Sequence, residues 1–109
     1  MSRQAELTER LRARLSGARE VAMFGGRSFM VNGKIVASAL RDGDLLVRVD
    51  AARHDELVTL PGASQAQMGA ERDMGAGWIA IDASSLATSD QLSFWIDIAL
   101  EYNRTITTR

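Results

Sequence analysis

One histidine, His54, and no cysteine are available for nucleophilic catalysis in this chain of 109 residues. A nucleophilic serine needs a base within hydrogen-bond reach and a third group that orients that base. No Gly-x-Ser-x-Gly elbow surrounds any of the serines. His54 follows a capping aspartate and precedes leucines in a short predicted helix, which is typical of a structural histidine. We therefore predict no catalytic residue and no enzymatic activity.

The residues also predict neither a metal nor a cofactor site. A single histidine without cysteine nearly excludes a structural zinc site. Asp42 and Asp44 resemble the start of a calcium loop, but the rest of the pattern is absent and a turn explains both. Glu71 and Asp73 flank an arginine in a polar stretch, where a solvated loop is the better interpretation.

A glycine-rich segment precedes a predicted strand and consists of Met23, Phe24, Gly25 and Gly26. A phosphate-binding loop needs glycines that open a helix, because backbone N–H groups at a helix start face the anion. Here strand residues follow, so we interpret the segment as a structural bend. We expect Gly25 or Gly26 to have a positive φ or to lie too close to another strand for a Cβ.

The composition is that of a globular protein, with 46% hydrophobic and 25% charged residues and a net charge of −1. A single domain over residues 1–109 is the expectation for this length. The near-neutral charge argues against direct nucleic-acid binding, which depends on phosphate neutralisation. The apolar runs are too short to cross a membrane. The N-terminus has no apolar segment of the kind found in secretory signals.

Apolar spacing predicts three helices. Leucines at every fourth position mark the first helix, from Ser2 to Ser16. Asp50 caps a short second helix from Ala51 to Thr59. Thr88 and Gln91 fit a capping box at the start of the last helix. Its predicted buried stripe is Leu92, Trp95, Ile96 and Ala99, widened by Phe94 and Ile98.

Two-residue turns predict antiparallel strands in the middle of the chain. Asn-Gly or Asp-Gly between apolar runs is a strong hairpin signal, and it occurs at Asn32-Gly33 and at Asp42-Gly43. The two turns predict a three-stranded meander. A weak strand from Ser64 to Met68 and a clearer one, Trp78–Ile81, follow the second helix. The predicted order is helix, three strands, helix, two strands, helix, which is an α+β, two-layer domain with an antiparallel sheet.

Two-residue loops would also set the register and the two sheet faces. Pairing of Leu40 with Leu45 and of Phe29 with Val36 collects large apolar residues on a first face. The second, weaker face would contain Met30, Ile35, Ala37, Ala39, Leu46 and Arg48. We expect this second face to be an interface, either with a second copy in a homodimer or with a regulatory protein partner. The alternative is that the first helix covers it within the same chain.

Several of these segments resemble the N-terminal domain of the TfoX/Sxy competence-regulator family. The resemblance lies in Met23-Phe24-Gly25-Gly26, the Asn32-Gly33-Lys34 turn and the strand from Asp44 to Asp50. The Trp78 strand and the closing helix with Trp95 are similar too, so the likeness extends from about Glu20 to Tyr102. It implies the same helix and strand order and a bacterial, cytoplasmic protein.

The resemblance implies a regulatory role and no catalytic residues. Full-length members of the family regulate DNA-uptake genes alongside the cyclic-AMP receptor protein and carry a second, C-terminal helical domain. This sequence ends just past the predicted last helix, without that second domain. We therefore expect a non-enzymatic protein-interaction domain that takes part in regulating transcription. The alternative function is a small-molecule-binding domain or an enzyme with a cleft near Gly25-Gly26 and His54.

Overall fold

The computed structural model describes residues 2–23, 25–68 and 72–107. The helices are α1 (Arg3–Arg14), α2 (His54–Leu57) and α3 (Ser89–Thr107), with 3-10 helices at Ala51–Arg53 and Ala83–Leu86. The strands are β1 (Arg19–Met23), β2 (Gly26–Val31), β3 (Lys34–Ala39), β4 (Leu45–Arg48), β5 (Ala63–Gln65) and β6 (Trp78–Ile81). They form one antiparallel sheet in the order β1-β2-β3-β4-β6-β5. The α+β fold class is confirmed.

Strand β1 was not predicted from the sequence. It pairs with β2 in a regular register from Arg19 opposite Met30 to Met23 opposite Gly26. None of its five side chains is fully buried, because β1 is the outermost strand of the sheet. An edge strand with two partly covered faces lacks the strict alternation that reveals a strand in a sequence.

All three helices pack on one face of the sheet, which we call the covered face. The leucine stripe of α1 and the apolar stripe of α3 share one core with the strands. Their largest fully buried side chains include Phe29, Leu11, Leu45, Leu57, Ile79, Ile81, Leu92 and Ile96. Arg10 and Arg14 of α1 also donate hydrogen bonds to the carbonyls of Thr88 and Ser89 at the start of α3. The alternative in which α1 covers the predicted second face is therefore confirmed for Ala37 and Ala39, which lie in the core beneath the helices, but not for Met30 and Ile35.

The predicted helix caps are confirmed. The Asp50 carboxylate accepts from the Ala52 N–H at 2.9 Å. The backbone N–H of Gln91 donates to the Thr88 hydroxyl at 3.1 Å, and the Gln91 side chain accepts from the Thr88 N–H at 2.9 Å. These reciprocal bonds satisfy donors that have no partner within the helix, so local sequence alone determines where α3 begins.

The first turn matches its prediction and the second does not. Asn32 and Gly33 have φ values of 54° and 81°, as a two-residue hairpin turn of this type requires. In the second hairpin, the Leu40 N–H donates to the Asp44 carbonyl at 2.9 Å, so the loop has three residues. Gly43 occupies its left-handed position, with a φ of 88°. The predicted pairing of Leu40 with Leu45 is wrong by one residue.

A β-bulge in β3 shifts the register a second time. Met30 lies opposite Ile35 as predicted, but Phe29 lies opposite Ala37 instead of Val36. The extra residue lets Val36 and Ala37 both enter the core. Beyond the bulge Ala39 also faces the helices, and Ala37 and Ala39 have no exposed surface. Their predicted place on an open interface face is wrong.

The last helix has Trp95 buried and Phe94 exposed. Trp95 is 4% exposed and belongs to the core, which confirms its predicted burial. Phe94 is 47% exposed and contacts Trp95 edge-on, with 5.2 Å between the ring centroids. The expectation that Phe94 widens the buried stripe is wrong, because adjacent helical positions diverge by about 100° around the axis.

Candidate functional site

The sheet face opposite the helices, which we call the open face, carries a continuous row of small and apolar side chains. The paired positions that share this row are Val21, Ser28, Ser38, Leu46, Ala80 and Ser64, from one edge of the sheet to the other. Ser28, Ser38 and Leu46 at its centre are buried, whereas Ser64 at the β5 edge is exposed. No described helix packs over this row.

A buried serine pair forms the middle of the open face. The hydroxyl oxygens of Ser28 and Ser38 lie 2.7 Å apart across β2 and β3, and neither side chain has exposed surface. Each hydroxyl is therefore satisfied by the other, which removes the cost of burying it. The sheet side chains at the centre of the open face are therefore covered at these two positions.

A cavity of about 580 Å³ opens on the open face between the sheet and the chain that follows β5. Leu46, Ala66 and Ala80 line it on the sheet side, and Met68 and Met74 line it from the loop that connects β5 to β6. Gly25, Arg41 and Asp42 contribute to its rim. The Met74 N–H donates to the Ala66 carbonyl at 2.9 Å, which holds the loop beside the sheet.

Methionines surround the open face. Met30 and Ile35 form a half-buried pair on it, and Met68 is 57% exposed at the cavity. Met23, 41% exposed, lies at the end of β1 and lines the cleft beside α1. Unbranched thioether side chains adapt their shape to a partner surface. The arrangement therefore suits contact with another macromolecule better than recognition of one rigid ligand.

The predicted interface residues lie in three places. Met30, Ile35 and Leu46 lie on the open face, whereas the two alanines of β3 lie beneath the helices. Arg48 lies at the far end of β4, where its guanidinium carbon is 5.3 Å from the Trp78 ring centroid and 5.9 Å from that of Tyr102. These are cation–π distances, so the two rings hold Arg48 in place.

The two glycines of the entry segment have the backbone geometry expected of them. Gly25 has a φ of 72°, and a Cβ on Gly26 would lie 2.0 Å from the Ala39 carbonyl oxygen. The Gln4 side chain of α1 donates to that same carbonyl at 3.2 Å. Phe24 lies outside the described residues. Gly26 is required because β2 and β3 approach too closely at this point for any side chain.

A charged network lies on the helix side of β1. The guanidinium of Arg12 donates two hydrogen bonds to the Glu20 carboxylate, at 2.7 and 2.9 Å. Glu9 pairs with the same guanidinium, and Arg27 lies 3.8 Å from Glu20. The hydrogen bonds from Arg12 hold the pKa of Glu20 below its ordinary value. The network joins α1 to β1 across a cleft of about 610 Å³.

His54 has a structural role. It is 8% exposed, and its Nδ1 accepts a hydrogen bond from the Gly77 N–H at 2.9 Å. Gly77 precedes β6, whereas the Gly25-Gly26 entry lies beside Ala39, at the opposite end of the sheet. The described residues therefore do not form the alternative cleft that would have combined these glycines with His54.

The described part of the chain contains neither a metal-binding cluster nor a membrane-spanning helix. No group of three or more His, Asp or Glu side chains suited to a metal ion occurs within residues 2–23, 25–68 and 72–107. None of the helices in those ranges is long and apolar enough to pass through a bilayer. Glu71, one of the two carboxylates of the polar loop, lies outside the described residues.

Sequence reasoning missed the cavity on the open face. Met68 and Met74 stand in a polar, glycine-rich stretch without periodicity, so no pattern assigned them to a surface. Their proximity to Leu46 arises because the chain folds back through a bridge between Gln67 and Asp73. The one available signal was the composition, which includes five methionines.

Comparison with known proteins identifies the family. No curated protein matches this sequence. A protein-family model, described as the TfoX N-terminal domain, matches residues 10–102. The match begins within α1 and ends within α3, so it includes all six strands and α2. The chain therefore belongs to the TfoX N-terminal domain family.

Proposed function

We propose that this protein is a non-enzymatic interaction domain that binds a regulatory protein partner through the open face. The observation that carries the proposal is the group of apolar side chains at the border of the open face, of which Met68 is 57% exposed and Met30, Ile35 and Met74 are half-buried. Apolar surface of this kind on a folded domain commonly marks an interaction site. Because the chain belongs to the TfoX N-terminal domain family, we further propose a role in regulating transcription in the bacterial cytoplasm.

The chemistry of the described residues supports binding over catalysis. The one histidine uses its Nδ1 as the acceptor for a backbone N–H. The Glu20 carboxylate is neutralised by two arginines, and its lowered pKa makes it a poor proton acceptor at neutral pH. Neither group is poised to accept a proton from a substrate.

Photo-crosslinking tests the proposal by capturing the partner in the native host. A diazirine analogue of methionine, incorporated there, places the reactive group at Met30, Met68 and Met74. We expect a crosslinked protein that peptide mapping assigns to these three positions. An Ile35→Arg variant puts a charge on the open face and should abolish the crosslink.

A matched variant controls for nonspecific effects. Phe94→Arg places the same charge on an exposed aromatic position of the helix layer and should leave the crosslink intact. Far-UV circular dichroism verifies that both variants fold. A crosslink that persists in Ile35→Arg, or no crosslink in the wild-type protein, would contradict the proposal.

The small-molecule alternative depends on the cavity that Gly25 and Leu46 line. Its volume of about 580 Å³ lies within the range of ligand pockets. A ligand there would raise the unfolding temperature of the isolated domain. A Gly25→Ala variant would distinguish ligand binding from partner binding, because Gly25 lies at the cavity rim and is distant from Ile35 in the sheet register. The variant should weaken ligand binding and leave the crosslink to the partner intact.

A further inference from the structure

We propose that two copies of this chain pair through the free edge of β1, so that their sheets continue into one twelve-stranded antiparallel sheet. The interaction uses the edge of the sheet rather than the open face, so it is separate from the proposed partner site. The occupant is a second copy of the same chain, related by a twofold axis through Val21. The proposal rests on the geometry and the charge pattern of β1.

The two edges of the sheet differ in how well they are protected. Proteins usually blunt an edge strand by shortening it, bending it with a bulge, or placing proline or charged side chains in it. The β5 edge has three residues, and the Ala63 N–H already donates to the Leu60 carbonyl at 3.0 Å. Strand β1 has five residues, no proline and no register shift. Its two charged residues are Arg19 and Glu20, and the Glu20 carboxylate is already paired with Arg12 of the same chain, so the edge remains suitable for pairing.

Backbone alternation identifies the groups that face outward from β1. Hydrogen-bonded and non-hydrogen-bonded pairs alternate along an antiparallel ladder. The Asn32-Gly33 turn closes on Val31 and Lys34, so the backbone groups of Val31 form hydrogen bonds with β3. By alternation, the backbone groups of Met30 and Ser28 form hydrogen bonds with β1. Their partners on β1 are Arg19 and Val21. The N–H and C=O groups of Glu20 and Ala22 then point away from the sheet.

Only one register of two β1 strands uses both of these outward residues without a charge conflict. With the twofold axis at Val21, Glu20 lies opposite Ala22 of the second copy and all five residues pair. Moving the axis to Glu20 would place two carboxylates directly opposite each other, which is destabilising. Moving it to Ala22 would leave Arg19 and Glu20 unpaired. The β1 sequence is therefore self-complementary in the Val21 register alone.

The neighbouring strand adds charge complementarity on the helix side. Ala22 lies opposite Arg27 on β2. In the Val21 register the row across the interface reads Arg27, Ala22 and then Glu20 of the second copy. Two strand spacings, about 10 Å, separate the backbones of Arg27 and that Glu20. The small Ala22 leaves room for the long side chains to meet, and Arg27 is already oriented toward the Glu20 of its own chain at 3.8 Å.

A disulfide experiment tests the register directly, since the chain has no cysteine of its own. In the proposed dimer the two Val21 residues form a non-hydrogen-bonded pair with about 4.5 Å between Cα atoms, within the range that a disulfide spans. Val21→Cys should form a covalent dimer under mild oxidation. The control Ser64→Cys is exposed in the same row at the opposite edge and should remain monomeric.

Mixing two variants checks the same register independently. Arg19→Cys and Met23→Cys face each other only across the interface, so mixed protein should give a heterodisulfide. Equal dimer yields from Val21→Cys and Ser64→Cys would overturn the proposal. So would a failure of the mixed pair to crosslink.

Light scattering tests the dimer without any cysteine. The wild-type protein should have twice the monomer mass of 11.9 kDa. Ala22→Pro removes an outward N–H, which a free edge strand tolerates but a paired one does not. The variant should keep its circular dichroism spectrum and halve its mass. A wild-type protein that is monomeric up to millimolar concentration would refute edge pairing, whereas the methionine crosslinks would still test the open face.

Discussion

The two faces of the sheet are built by different means. The covered face is made of large aliphatic and aromatic side chains that interlock with α1 and α3. The open face has a hydrogen-bonded serine pair at its centre and flexible methionines around it. The first arrangement buries apolar area and stabilises the fold. The second satisfies two buried hydroxyls without a helix layer above them, and its border carries the half-buried and exposed methionines that the proposed partner would contact.

The largest difference between the faces should appear on replacing Trp95, which belongs to the core of the covered face. Trp95→Ala should destabilise the protein by roughly 3–5 kcal/mol, because a large cavity is left under α3. The adjacent Phe94→Ala should cost about 1 kcal/mol, through loss of its edge contact with Trp95. Urea unfolding followed by circular dichroism measures both. Equal losses would mean that α3 is rotated from the orientation described.

The Gly25-Gly26 entry should show a smaller effect that arises from backbone packing. Gly26→Ala should cost toward the upper end of roughly 1–3 kcal/mol, because its Cβ would lie 2.0 Å from a backbone oxygen that cannot move aside. Gly25→Ala meets only the end of the flexible Arg41 side chain at 3.5 Å. Its cost should be about 1 kcal/mol, from the positive φ alone. A reversed order in urea unfolding would contradict the close approach of β2 and β3.

The serine pair offers a test of the open face itself. Ser38→Ala should cost about 1–2 kcal/mol, because the Ser28 hydroxyl stays buried without its partner. The double variant with Ser28→Ala should cost less than the single one, since both polar groups are then removed. A double-mutant cycle from urea unfolding measures the coupling. Additive losses would show that the two hydroxyls do not depend on each other.

The smallest expected effect concerns the ion pair that ties α1 to β1. This pair joins Arg12 and Glu20, and the hydrogen bonds from Arg12 lower the folded-state pKa of Glu20 from the ordinary 4.5. The carboxylate therefore stabilises the fold above that pH, and the contribution is lost as the pH falls through the lower folded value. Glu20→Gln should cost less than about 1 kcal/mol at pH 7.

The acid dependence of stability provides the readout for Glu20. Between roughly pH 5 and 3, the free energy of unfolding should fall more steeply in the wild type than in Glu20→Gln. Glu9→Gln is the matched control, because Glu9 contacts the same arginine from a more exposed position. Identical pH profiles for wild type and Glu20→Gln would show that the bridge contributes nothing to folding.

Local patterns were sufficient to predict the elements with a short-range physical cause. The capping box at Thr88, the cap at Asp50 and the Asn32-Gly33 turn are each determined by residues within four positions of one another. The stripes of α1 and α3 follow from helical periodicity. Strand β1 and the loop with Met68 and Met74 lack such patterns, because contacts with residues distant in the chain determine where these segments lie.

The sequence by itself determined the fold class, the main helices, the meander and the family. Only the tertiary structure decided which sheet face is open. One extra residue in the loop at Gly43 and one bulge at Val36 each shifted the register, and a shift of one residue exchanges the faces of a strand. Ala37 and Ala39 therefore moved to the covered face, while Ser38 moved to the open face. The bulge depends on how Phe29 and Val36 fit beneath α1 and α3, and no local pattern encodes that packing.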